Sequence, residues 1–295
     1  MKNVVIDEAF LSELEQLQTV LKNNIAGMFG GNRQTKNFGS SCEFADYRDY
    51  VPGDDVTKID WNAYARFDKL YEKLYLDERQ MHTRIYIDAS RSMNHGSDDE
   101  KATQAVRLAA AFAYLSVCEM DKVSVYTIEG GTLREVIGGM VGKDSYLECI
   151  NRLNEIEFTS DARISDAIVP SSVGRGDGFS IIISDFLTDD DYEQAIDRLT
   201  DARRDVVCVQ ILSREEINPQ IRGKMHLFDV EVPERYFRKK IDQDIIRAYK
   251  DALKYVTDRI KGYCESREAR YIFLPAHEPI AKVFFEDLVN SEVVR

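Results

Sequence analysis

The chain has 295 residues, 44% apolar and 31% charged, enough to bury a sizeable core in one large α/β domain or two modest ones. Thirty-nine Lys and Arg against 52 Asp and Glu leave a net charge of −13, which repels phosphate backbones and argues against nucleic acid as a partner. No run approaches the ~18 apolar residues of a membrane span, the N-terminus lacks the apolar core of an export signal, and the five cysteines are scattered without a C-x-x-C pair; a reduced cytoplasmic setting is expected.

In chain order, residues 7–23 carry apolar positions at helical spacing (Phe10, Leu11, Leu14, Leu17, Leu21). A Gly/Asn/Ser-rich stretch, AGMFGGNRQTKNFGSS, reads as a loop. Residues 42–80 are polar and aromatic, with a turn at VPGDD and a strand around 69–76. TRIYIDAS is a strand, and 102–120 is a helix so rich in Ala, Leu and Val that most of its faces must be buried. A strand at 122–128, a helix at 145–156, the apolar strand GFSIIISD, a helix at 190–202 and the strand DVVCVQIL follow. HLFDVEV reads as a strand, RYFRKK (235–240) as the solvated start of a long helix over 241–264, RYIFLP as a strand and 279–290 as a helix.

Apolar, β-branched strands alternating with helices predict a doubly wound, mostly parallel, Rossmann-like sheet over residues 81–295. Residues 1–80, an N-terminal helix, a linker and a polar, aromatic segment, are expected to pack on that sheet. Such sheets hold ligands beyond the carboxyl ends of their strands. Asp88 and Asp185 both fall there, and the topology predicts that they end adjacent central strands.

Asp88, Ser90 and Ser92 form a D-x-S-x-S pattern directly after a strand. A loop curling over the strand end brings alternate side chains to one point, and a carboxylate with two neutral hydroxyls suits a hard cation such as Mg²⁺. The same residues also read as a turn and a helix cap. Asp54, Asp55 and Asp60 lack a calcium ladder, so Asp60, Arg48 or Arg66 pairing within the fold is expected instead. Trp61, the one tryptophan, reads as a core anchor. GGMVGKD departs from a Walker loop, and the four histidines (His82, His95, His226, His277) are isolated in the sequence.

IDASRSM before an Ala-rich helix, with the later IIISDF, resembles a von Willebrand factor A-type domain, whose D-x-S-x-S and later Asp build a metal-ion-dependent adhesion site. CEFADYRDYVPGDDVTKIDWNAYARFDKLYEKLYLDE is similar to the signature of domain-of-unknown-function family 58, through Arg48, Tyr50, Pro52 to Asp55, Ile59 to Trp61, and Ala65 with Arg66. The resemblance implies a metal set of Asp88, Ser90, Ser92 and Asp185, holding Mg²⁺ (or Mn²⁺ or Ca²⁺). Ala162 stands where the family's metal site uses a threonine, leaving Asp161 or Ser160 to substitute. It further implies a non-enzymatic scaffold or adaptor whose metal accepts a partner's Asp or Glu, working with a MoxR-type AAA+ ATPase in complex assembly or maturation. The rival expectation is a Mg²⁺-dependent phosphoryl-transfer enzyme with Asp88 as nucleophile; Ser90 then stands where a general acid is needed.

Overall fold

The computed structural model describes residues 6–24, 44–75, 81–94, 100–161, 163–171, 178–188, 191–221, 223–228 and 236–281. Helix α1 (Glu8–Asn24) groups with everything from Met81 onward, while Ile25–Gln80 is a separate compact unit.

The smaller unit pairs strand β1 (Phe44–Asp49) antiparallel with β2 (Tyr71–Tyr75) and places the short helix α2 (Trp61–Phe67) between them in the chain. Arg48 stands opposite Glu72 in the register, and its Nη2 lies 2.6 Å from Glu72 Oε2 and 2.9 Å from Asp54 Oδ2. The VPGDD turn closes with Asp54 N donating to Val51 O at 3.0 Å, and Gly53 takes φ of 115°. That region admits glycine without strain. Asp55 accepts from Thr57 N at 3.0 Å and starts the next turn. Asp60 caps α2, accepting from Asn62 N and Ala63 N at 2.9 and 3.2 Å. Its other oxygen takes the Tyr47 hydroxyl at 2.8 Å and lies 3.2 Å from Lys73 Nζ. These acids therefore hold the local fold together. The expectation for Trp61 is overturned, because its side chain is 61% exposed. As the first helical residue after the Asp60 cap, it sits on the outer face of a helix whose buried residue is Ala63.

In the larger unit come β3 (His82–Asp88), α3 (Glu100–Cys118), β4 (Lys122–Glu129), β5 (Thr132–Met140), α4 (Tyr146–Leu153), α5 (Ile164–Ile168), β6 (Phe179–Ser184), α6 (Tyr192–Asp201), β7 (Asp205–Leu212), α7 (Arg214–Ile217), β8 (Gly223–Phe228), β9 (Tyr236–Ile241), α8 (Gln243–Ser266) and β10 (Arg270–Pro275). The main sheet runs β10-β7-β6-β3-β4-β5; all pairings are parallel except β4 with β5. The chain winds from β3 outward through β4, then returns to place β6 and β7 on the other side of β3. The doubly wound, mostly parallel sheet expected from the sequence is the observed one.

Both faces are covered. Tyr86, Ile182, Val206 and Cys208 share one buried cluster with residues of α5, α6 and α8. Helix α3 is buried along nearly its whole length, as its composition requires, and α1 docks beside it, with Arg107 over the Phe10 ring at 5.5 Å. Strand β5 escapes the sequence reading because it is a half-exposed edge strand, TLREVIGGM, whose charges mask the alternation. RYFRKK does not start a helix. Residues 236–241 pair with β8 from Phe228↔Tyr236 to Gly223↔Ile241, and α8 begins only after Asp242 caps it through Ile245 N at 3.1 Å. The predicted helix at 279–290 falls mostly outside the described residues. Among the described residues no helix is long and apolar enough to cross a membrane.

Candidate functional site at the carboxyl edge of the sheet

Strands β3 and β6 are neighbours, paired from Arg84↔Ser180 to Ile87↔Ile183. Asp88 ends β3, and Asp185 follows β6 by one residue. The two carboxylates thus sit at the point where the winding reverses, the crevice position of an open α/β sheet.

Asp88 is fully buried. Its Oδ1 accepts from Ser90 N at 2.9 Å, and its Oδ2 accepts from Ser184 Oγ at 2.5 Å. The Ser90 and Ser92 hydroxyls lie 2.9 Å apart. The loop therefore curls back as the D-x-S-x-S spacing predicts. Residues 92–94 form a single 3-10 turn, so Ser90 and Ser92 precede α3 by several positions and do not cap it. A neighbouring segment closes the loop: Arg91 N donates to Ser160 O at 2.9 Å, and Ser160 N donates to Ala89 O at 3.1 Å. This pairing brings half-buried Asp161 beside the loop. Ala162 lies outside the described residues.

Asp185 is held on every side. Its Oδ1 accepts from Leu187 N at 3.0 Å, and its backbone carbonyl accepts from Gln210 Nε2 at 2.8 Å. Gln210 is oriented in turn by the Tyr271 hydroxyl at 2.6 Å, so β6, β7 and β10 all contribute. Phe186, immediately after Asp185, has φ of 54° and is 1% exposed. An aromatic residue in the left-handed region is strained, and such strain concentrates at working sites. The Ser184 hydroxyl oxygen accepting from Phe186 N at 2.9 Å, and the Phe186 ring set edge-on against Tyr192, hold it there.

No local sequence pattern marks the cation at this edge. Lys101, in the first turn of α3, is 1% exposed. Its Nζ lies 2.8 Å from Asp185 Oδ2 and 2.6 Å from Glu216 Oε1. Burial and the positive end of the helix dipole both disfavour an ammonium there. Burial lowers its pKa, but Asp185 and then Glu216 more than compensate and leave it raised. The other Glu216 oxygen closes a capping box with Ser213, a Ser-x-x-Glu pattern that was readable in the sequence. Asp88 is in the opposite condition: burial first, and the Asp185 charge second, push its carboxyl up to about 6.

These donors fit a hard cation. Among the described residues no group of three or more His, Cys, Asp or Glu is suited to a metal, so an ion here would rely on hydroxyl oxygens and water beside the carboxylates. Asp88, Ser90 and Ser92 offer such a set, and a buried carboxylate pushed up in this way is one that a cation would relieve.

At the other end of β3, His82 Nε2 lies 2.8 Å from Ser124 Oγ, so this histidine is not isolated in space. The Ser124 oxygen also accepts from Gly139 N at 2.9 Å, which makes the pair a tie between strands. Burial, then the charges of Arg84, Arg204 and Lys122, lower His82 to about 4.

The chain is 24% identical over 237 residues to uncharacterized proteins of Mycobacterium tuberculosis and Mycobacterium bovis, covering 78% of this chain and 74% of theirs. The structure is similar to the SpRpn10 VWA domain (12% identity, 72% of this chain, 95% of that one, TM-score 0.37). It is also similar to a von Willebrand factor type A protein from Catenulispora acidiphila (11% identity, 75% of this chain, 43% of that one, TM-score 0.33). A family model described as "Protein of unknown function DUF58" matches residues 46–257, most of the chain, and the protein belongs to that family.

Proposed function

We propose that this protein is a non-enzymatic, metal-dependent protein-binding module. A divalent cation, Mg²⁺ or else Mn²⁺ or Ca²⁺, is held by Asp88, Ser90 and Ser92, with Asp185 and Asp161 contributing from the neighbouring segments. Water fills positions the protein leaves open, and a partner's Asp or Glu takes one of them. The partner in this reading is a MoxR-type AAA+ ATPase, with the module as its adaptor in assembling or maturing a client complex.

The observation that carries the reading is the convergence of Asp88, the Ser90–Ser92 hydroxyl pair and Asp185 at the reversal point of the sheet. Phosphoryl transfer is supported less well. Asp88 is buried, and both of its oxygens already accept hydrogen bonds, which is poor preparation for a nucleophile.

Binding of the purified protein to a co-encoded MoxR-type ATPase, compared in Mg²⁺ and in EDTA, tests this. Binding should require Mg²⁺ and vanish in Asp88→Ala. Metal-independent binding, or hydrolysis of p-nitrophenyl phosphate that Asp88→Ala abolishes, would overturn the reading.

A further inference from the structure

Lys101 has no part in the metal set, yet it is the buried cation nearest to it in chemistry: it shares Asp185 with the proposed site. We infer that Lys101 is a charge-setting residue, which withholds Asp185 from the ion so that the bound ion keeps positive charge for a partner carboxylate. The inference rests on the metal-dependent reading above.

Asp185 Oδ2 faces the Lys101 ammonium at 2.8 Å, and Oδ1 accepts from Leu187 N at 3.0 Å. An ion at Asp88 thus meets an Asp185 whose charge is already neutralised by an ammonium, whereas the donors on Asp88 are neutral, so Asp185 acts on the ion through water. Among the described residues of this cluster, Asp88 and half-buried Asp161 have no ion pair, whereas Asp185 has Lys101. Withholding the Asp185 charge leaves a doubly charged ion more positive, so it binds more weakly and attracts an external carboxylate into its open position more strongly.

Glu216 sets how strongly Lys101 acts. Its Oε1, 2.6 Å from Nζ, shares the ammonium charge, while its Oε2 accepts from Ser213 N at 2.8 Å and is fixed by the capping box. The helix start at α3, the end of β6 and the turn after β7 are therefore tied through one nitrogen atom. Two substitutions should consequently move metal affinity in opposite directions. Lys101→Met frees Asp185 and removes a repelling charge, so affinity should rise. Glu216→Gln preserves the cap but leaves the ammonium less neutralised, so affinity should fall.

Mn²⁺ titration of the full chain, with the free ion counted by electron paramagnetic resonance, tests this without any activity assay. Lys101→Met should tighten Mn²⁺ by about tenfold or more and Glu216→Gln should weaken it by about threefold, as expected for a unit charge acting at short range on a divalent ion. Acetate, as a probe of a partner carboxylate, should tighten Mn²⁺ binding to the parent and have little effect on Lys101→Met. If Lys101→Met is too unstable to titrate, Glu216→Gln decides alone, since a Gln keeps the capping oxygen. Parent binding that Asp88→Ala abolishes, but that neither Lys101→Met nor Glu216→Gln alters, would overturn the charge-setting role and leave the metal reading standing. No Mn²⁺ binding by the parent or either variant would overturn both. Equal tightening by acetate in the parent and in Lys101→Met would overturn the partner half of the inference.

Discussion

Asp60 caps a helix and Asp88 ends a strand, and their surroundings drive the two aspartates in opposite directions. Asp60, in the smaller unit, accepts from Tyr47, Asn62 and Ala63 and faces Lys73. The Tyr47 hydroxyl foremost, then the Ala63, Lys73 and Asn62 donors, lower it to about 2 against the opposing effect of burial. Asp88, in the larger unit, has two hydrogen bonds, full burial and Asp185 nearby, and is raised to about 6. An acid whose donors match its charge is structural. An acid left short of positive charge at a strand end holds its proton to higher pH. The comparison separates the family's signature segment, whose acids are paired within the fold, from the sheet edge, where the proposed site lies.

The largest effect should come from the cation that satisfies Asp185. Lys101→Ala leaves Asp185 and Glu216 buried or half-buried without their shared partner, and should destabilise the larger unit by about 3–5 kcal/mol in urea unfolding. A change under about 1 kcal/mol would mean that the carboxylates find other donors, and the contrast between the two regions would weaken.

Acid should next distinguish the two aspartates. The folded-state pKa of Asp88 is raised, so its contribution to stability is fully present below the ordinary value of 3.8 and is lost as pH rises through 6. For a rise of that size, the metal-free protein should gain about 2 kcal/mol from this group between pH 7 and pH 4, and Asp88→Asn should flatten that dependence. Asp60 has the opposite sign: its contribution is present above 3.8 and disappears as pH falls through about 2. Unfolding curves of the parent and Asp88→Asn across this range, in EDTA, measure the first effect; the same slope in both proteins would count against it.

Two smaller effects probe the signature segment. Gly53→Ala places a side chain at φ of 115°, and should cost about 1 kcal/mol in the stability of the smaller unit. Trp61→Ala should change stability by no more than about 0.5 kcal/mol, because a 61% exposed ring has little burial to lose. A loss of several kcal/mol on truncating Trp61 would return it to the role of core anchor that its uniqueness in the sequence suggests.

Contiguous residues determined a good deal of this protein. IYIDASRSM and FSIIISD each carry a buried strand and the polar residue that ends it, and the composition of α3 required burial on most faces. Periodicity and burial of this kind are properties of a single segment, so the parallel sheet, its reversal point and the Asp88, Ser90 and Ser92 cluster were legible. The tertiary structure alone decided the rest. Strand β9 exists because β8 pairs with it, and β5 because it lies along the edge of β4; neither pattern is self-sufficient in its own residues. Lys101 reaches Asp185 and Glu216 across 84 and 115 positions of sequence. The charge on a buried carboxylate depends on which distant side chains the topology brings to it. No local pattern in EKATQAV records that its lysine is buried, or that it neutralises an acid on another strand.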